Sequence, residues 1–252
     1  MTSLRDQVAL ITGSSRGIGA AIAELFARHG ARVVVHGRDT AALETVRARI
    51  AAAGGDVLAA TADLTRYGEI EAMRERIEDR FGPVEVLVAN AGGNTVRPGP
   101  VELISEQDWR ATVDGNLTAT FLTVKSFLPG MKQRGRGAVI TLSSAAARRP
   151  NAASPAAYAA AKAGIELLTK DLAAQAGPQG VRVNCIAPET IMTERNQRQI
   201  PEEIQQSLTA NHPVRRLGTP GDVAHAALYL AADDASWVSG IVLDVAGGSV
   251  LV

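Results

Sequence analysis

A short apolar run, Gln7-Val-Ala-Leu-Ile-Thr12, passes directly into Gly13-Ser-Ser-Arg-Gly17-Ile-Gly19 and then into an amphipathic stretch, Ala20 to His29, that stops at Gly30. No other part of the chain restricts the fold as much. The run has strand length and no polar face, as a central parallel strand requires. Gly30 is a helix stop. A strand, a glycine-rich turn and a helix start aim several backbone N–H groups and a positive dipole end at one point, which suits an anion. The spacing Gly-x-x-x-Gly-x-Gly departs from the general dinucleotide fingerprint. A tight connection is the alternative use, but the flanking strand and helix favour phosphate binding. Gly13, Ser15, Arg16, Gly17, Ile18 and Gly19 are therefore the expected phosphate contacts.

The second apolar run, Ala31 to His36, ends in Gly37-Arg38-Asp39. At this place dinucleotide folds read the adenosine ribose. A strand-tip carboxylate selects a free 2′-hydroxyl, and an arginine accommodates a 2′-phosphate. Here the tip is Gly37 and Arg38, with Arg16 inside the phosphate turn. Asp39 lies beyond the strand and directly before a helix-forming run, Thr40 to Ala52, so it is expected to cap that helix. Two arginines and no strand-tip acid point to NADP(H). Solvated surface arginines are the alternative.

The same alternation continues. Strands are expected at 57–60, 84–89, 137–142, 181–186 and 240–245, and helices at 68–81, 105–130, 156–174 and 220–232. The segment from Pro188 to Pro213 reads as less regular, with a substrate lid over 189–213. Strands alternating with helices along the whole length imply an α/β fold: a single Rossmann-type domain over 1–252, with a doubly wound parallel sheet of about seven strands and helices on both faces. A chain of 252 residues can bury one large core.

Composition excludes several classes. Lys plus Arg and Asp plus Glu both number 26, which argues against a nucleic-acid binder or a polybasic membrane anchor. One cysteine, Cys185, excludes an internal disulfide framework, and its apolar setting reads as buried ballast. His29, His36, His212 and His225 lack ligand spacing, so no metal is expected. No apolar run has the ~18–20 residues of a membrane span. The opening Met1-Thr-Ser-Leu-Arg-Asp lacks an apolar signal region, and a soluble, cytoplasmic protein is expected.

The chemistry centres on Tyr158-Ala-Ala-Ala-Lys162. Four residues apart on an alanine-rich helix, the phenol and the ammonium share one face. A free tyrosine, with a pKa near ~10, is a poor proton carrier at neutral pH, and lowering it by three units takes roughly 4 kcal/mol. A lysine one turn away can supply part of that.

With these features in place, the chain resembles the short-chain dehydrogenases/reductases over essentially its whole length. The resemblance is carried by Thr12-Gly-Ser-Ser-Arg-Gly-Ile-Gly19, Asp63-Leu64, Asn90-Ala-Gly92, Asn116, Ser144, Tyr158-x-x-x-Lys162, Pro188…Thr193 and Gly240-Ile-Val-Leu-Asp-Val-Ala-Gly-Gly248. It implies that Tyr158 is the general acid or base, that Lys162 lowers its pKa and binds the nicotinamide ribose, and that Ser144 polarises the carbonyl. Asn116 would interrupt its helix and hold a water of a proton relay. Asp63 and Leu64 would contact adenine, Asn90, Ala91 and Gly92 its ribose region, and Pro188, Ile191 and Thr193 the nicotinamide side. Ser143 is expected to be a bystander. The interval from Ser144 to Tyr158, fourteen positions, is about one longer than the family's, so a bulge is expected there.

The sequence departs from the family pattern in three places. Glu189 replaces a glycine after Pro188, Ala246 replaces an aspartate before the last glycine pair and so puts an interface contact in doubt, and Arg148-Arg149 precede Pro150. Either arginine could pair with an anionic substrate or lie on the rim. The resulting expectation is NADPH-dependent reduction of a ketone or 3-oxoacyl group to a secondary alcohol. Lys132, Arg134 and Arg136 form a candidate rim for an acyl carrier protein. Alternatives are an NAD-dependent dehydrogenase of a sugar, steroid or polyketide, and a catalytically retired, cofactor-binding subunit. The family's habit implies a homotetramer, or a homodimer, paired through the helices at 105–130 and 156–174.

Overall fold

The computed structural model describes residues 3–94, 96, 98–149 and 155–251. Its frame is β1 (Val8–Ile11), α1 (Gly17–Arg28), β2 (Arg32–His36), α2 (Thr40–Ala52), β3 (Val57–Ala60), α3 (Tyr67–Phe81) and β4 (Val86–Ala89). Beyond these come α4 (Glu106–Val113), a wide turn of π-helix at Asp114–Thr118, α5 (Ala119–Arg134), β5 (Gly137–Leu142), α6 (Ala145–Arg148) and α7 (Ala156–Ala176). The chain ends with β6 (Val181–Pro188), α8 (Glu194–Gln199), α9 (Glu202–Asn211), α10 (Pro220–Ala231) and β7 (Val242–Val245). The seven strands form one parallel sheet in the order β3-β2-β1-β4-β5-β6-β7.

Both faces of the sheet are covered, which explains its apolar strands. In β1, Ala9 and Ile11 face a core layer with Ile22 and Phe26 of α1 and Leu228 of α10. Val8 and Leu10 face the opposite layer, with Ile70, Met73 and Ile77 of α3 and Phe127 and Met131 of α5. The side-chain period of two thus splits each strand between the layers.

The strand order reverses between β1 and β4, and the carboxyl ends of these neighbours open the crevice where such sheets bind ligands. Asp39 caps α2, as expected, by accepting the Ala42 amide at 3.0 Å. The helix expected over 105–130 is interrupted at Asn116 by the π turn. The segment expected to be irregular instead forms α8 and α9, because Thr193 caps α8 and Pro201 precedes α9. After Ser144 the chain makes one helical turn, α6; the remainder of the expected bulge, with Pro150, lies outside the described residues. No described helix is long and apolar enough to cross a membrane.

Candidate active site

The glycine turn is held from beneath by groups remote in sequence. Asn90 Nδ2 donates to the carbonyls of Thr12 and Gly13 at 2.9 and 3.0 Å, and the Ala91 amide donates to Thr12 Oγ1 at 3.0 Å. A Cβ on Gly19 would stand 2.5 Å from the Gly13 oxygen, so the close approach of turn and helix requires glycine. His36, which showed no ligand spacing, proves to be part of this support. Its Nδ1 accepts the Gly13 amide at 3.2 Å, its Nε2 lies 3.1 Å from the Ala62 carbonyl, and burial pushes its pKa down. Both contacts describe a neutral ring protonated on Nε2. Arg16 offers no side-chain cap to α1, and the first turn of α1 has no acidic residue, so its free N–H groups and dipole face the cleft uncompensated.

That cleft has a volume of about 920 Å³. It is lined by the expected Gly13, Ser15, Arg16, Gly17, Ile18, Gly19, Arg38, Asn90, Gly92, Ser144, Tyr158, Lys162, Pro188, Ile191 and Thr193. Ala91, Asp63, Leu64 and Asn116 do not line it. Ala91 packs behind Gly13, Asp63 bonds Thr65, and Leu64 belongs to the core. Asn116 is buried, with Oδ1 accepting the Gly93 amide at 3.0 Å and Nδ2 donating to the carbonyls of Gly93 and Thr112 at 3.1 and 2.8 Å. A Cβ on Gly92 would approach Asn116 Oδ1 to 2.6 Å.

Tyr158, Ser144 and Lys162 meet at the floor of the cleft. The Tyr158 hydroxyl is hydrogen-bonded to Ser144; burial pushes the phenol's pKa up and that bond pulls it down. The downward pull expected from Lys162 is not among the causes acting on the phenol here, although the ammonium lies 5.6 Å from the centre of the ring. Lys162 Nζ donates to the Leu142 carbonyl at 2.7 Å, and burial lowers its own pKa to about 8. Cys185 is buried and its thiol is pushed up to about 11, in keeping with ballast. Among the described residues no cluster of His, Cys, Asp or Glu could hold a metal.

The two consecutive arginines diverge. Arg148 turns inward to Glu166 and Asp244, each at 3.0 Å, and cannot meet a substrate. Arg149 lines a side cavity of about 480 Å³ next to Ser144 and Tyr158; it donates to the Ser249 carbonyl at 2.9 Å and pairs with Glu189 at 3.5 Å. The charge of Glu189 is thus partly matched. Sequence reasoning missed Arg195, Asn196 and Arg198 of α8, which wall the main cleft, because a segment read as irregular shows no facing side. The expected acyl-carrier rim is misplaced. Arg134 donates to the Val84 carbonyl at 2.7 Å and Arg136 pairs with Glu85, both before β5 begins. Leu142, beside Lys162, is at the other end of that strand, roughly 20 Å away at about 3.3 Å per residue.

A family model described as Enoyl-(Acyl carrier protein) reductase matches residues 13–249. The chain belongs to the short-chain dehydrogenase/reductase family. Members with different substrates resemble it about equally. The 3-oxoacyl-[acyl-carrier-protein] reductase FabG of Vibrio cholerae is 37% identical over 250 residues, covering 99% of this chain and 100% of that protein. A gluconate 5-dehydrogenase from Burkholderia cenocepacia, solved with NADP and tartrate, superposes with a TM-score of 0.92 at 30% identity, over 98% of this chain and 96% of that one. A 7α-hydroxysteroid dehydrogenase complexed with NADH and 7-oxo glycochenodeoxycholic acid gives 0.93 at 37% identity, over 99% and 96%. The protein is an oxidoreductase of this family, and its relatives include both NADP-bound and NADH-bound members.

Proposed function

We propose that this short-chain dehydrogenase/reductase uses NADP(H) to reduce a ketone to a secondary alcohol, with Tyr158 as general acid. The observation that carries this reading is the hydrogen-bonded Ser144–Tyr158 pair above a buried Lys162, at the floor of the cleft headed by the glycine turn. The turn, with its uncompensated helix N-terminus, fits a pyrophosphate. Arg38 lines the cleft and makes no direct ion pair among the described residues, so it is the group for a 2′-phosphate. NADPH, when bound, supplies the hydride.

A phenol kept protonated by burial is suited to give its proton to the carbonyl oxygen. Ser144 turns its hydroxyl on the same oxygen and polarises it. Lys162 stands behind the phenol, its ammonium 5.6 Å from the ring centre and on the same cleft, where it would donate to the nicotinamide ribose. Asn116 serves this site indirectly, by clamping Gly93 beside the cleft. The segment 189–213 acts as the lid, with α8 as its inner wall.

The NAD-dependent reading keeps one specific support: Arg16 is already paired with Asp39, which leaves Arg38 to meet a 2′-phosphate alone. Assembly through α4, α5 and α7 is supported by Trp109, Phe121 and Leu167, which stay exposed on those helices. A monomer mass in solution would rule that out.

The deciding experiment is titration with NADPH and NADH, followed by nicotinamide fluorescence, and then addition of a ketone panel. Tighter NADPH binding that Arg38→Asp abolishes, with NADH little affected, is expected. Equal losses for both cofactors would remove Arg38 from the site. Tight binding with no oxidation by any ketone would favour the retired subunit.

A further inference from the structure

Tyr158, Lys162 and Glu166 follow one another at intervals of four on α7, so Glu166 extends the Tyr–Lys face by one more turn. The residue is buried, at 8% exposure, where a carboxylate needs partners. Its two oxygens serve different ones. Oε1 accepts from Ser143 Oγ at 2.7 Å, and Oε2 accepts from Arg148 Nη1 at 3.0 Å.

These partners flank Ser144. Ser143 precedes it, and Arg148 ends the short helix α6 that Ser144 itself caps. Ser143 is anchored further by its amide on the Ile186 carbonyl at 2.8 Å. Arg148 is anchored by a two-pronged contact with Asp244 of β7, Nε to Oδ1 at 3.0 Å and Nη2 to Oδ2 at 3.2 Å. Ser144 is therefore suspended between two supports that converge on one carboxylate of the helix carrying Tyr158. Ser143, expected to be a bystander, is half of that suspension.

We propose that Glu166 is a positioning residue: through Ser143 and Arg148 it holds the Ser144 hydroxyl in register with Tyr158. The inference rests on the proposed roles of Ser144 and Tyr158. Misplacing a reacting group by 1 Å can cost about a hundredfold in rate, so a support that removes this freedom is felt in kcat. Cofactor binding, which uses the glycine turn, is left alone.

The test compares Glu166→Met and Arg148→Met with Thr169→Val, a control on the same helix that breaks the buried Thr141–Thr169 hydrogen bond without touching Ser144. Amide hydrogen exchange over 143–149, NADPH affinity and kcat with the best ketone of the panel are measured on the full chain. Both methionine variants should raise exchange over 143–149 about tenfold and lower kcat about thirtyfold, with NADPH affinity within about twofold of wild type. The double variant should be no worse than either single one. Arg148→Lys, which keeps the charge, should recover part of kcat. Unchanged exchange over 143–149, or an equal loss of kcat in Thr169→Val, would overturn the proposal. If the methionine variants do not fold, Glu166→Gln, which keeps the shape and loses one accepting oxygen, is judged by the same readouts. A wild-type enzyme that oxidises NADPH with no ketone would sink the proposed function, while the exchange comparison would still decide whether Glu166 anchors Ser144.

Discussion

Arg16 and Asp39 form an ion pair of 2.5 Å between the phosphate turn and the start of α2. Asp39 thereby divides its carboxylate, with Oδ2 on Arg16 and Oδ1 on the Ala42 amide. Both side chains are about half exposed, so the pair is weak and an incoming phosphate can compete for the arginine.

Asp39→Asn should leave the cap intact, since asparagine caps as well as aspartate, and release Arg16. NADPH is expected to bind about three times more tightly, within the 0–1 kcal/mol typical of an exposed pair, with NADH unchanged. Fluorescence titration of both cofactors checks it; no change in NADPH affinity would mean that Arg16 plays no part.

Lys162 places the proposed chemistry in opposition to stability. Its pKa falls from 10.5 to about 8 on burial, a difference worth roughly 3 kcal/mol at about 1.4 kcal/mol per unit. The folded state releases the proton more readily than the unfolded one, so this cost is fully present below pH 8 and disappears as pH rises towards 10.5. Lys162→Met should therefore be more stable at pH 7, by up to about 3 kcal/mol less the loss of the Leu142 hydrogen bond, and catalytically dead. Urea midpoints at pH 7 and 9.5 should show the advantage shrinking at the higher pH.

His36 gives a slope on the acid side. Burial holds its pKa below 6.5, so the unfolded chain takes up the proton first and stability is lost as pH falls below that value. Asparagine can accept from Gly13 in the same way without titrating. His36→Asn is expected to flatten the stability profile between pH 7 and 5, as read by thermal unfolding; an unchanged slope would assign it to other groups.

Asn116 binds Gly93 through both ends of its amide. Asn116→Leu would leave the buried Thr112 carbonyl without this donor, at about 1–3 kcal/mol, and the half-buried Gly93 groups without theirs, at less. Faster hydrogen exchange at 92–94 and weaker cofactor binding are expected, and wild-type exchange there would show that the clamp is dispensable.

Much of the site is legible in the sequence because its signals are local. The glycine turn, the Tyr158–Lys162 face and the cap by Asp39 each depend on residues within a turn or two of one another. Ser144 was identifiable only by resemblance. Glu166 was not, since a carboxylate in a helix resembles a solvated one until Ser143 and Arg148 are seen beside it. The same holds for Arg134 and Arg136, whose charge was visible but whose position, on the far end of the sheet from Tyr158, was not.

The sequence by itself determined the parallel sheet, the order of its helices and the phosphate turn, because hydrophobic period, strand length and glycine placement act through neighbouring residues. The tertiary structure alone decided which charges are spent on partners. Arg148 finds Asp244 across 96 positions, and Arg16 finds Asp39 across 23. It also decided the ionisation of Tyr158, Lys162 and His36, whose shifts come first from burial. Burial depends on every layer packed above a residue, and no spacing along the chain encodes it.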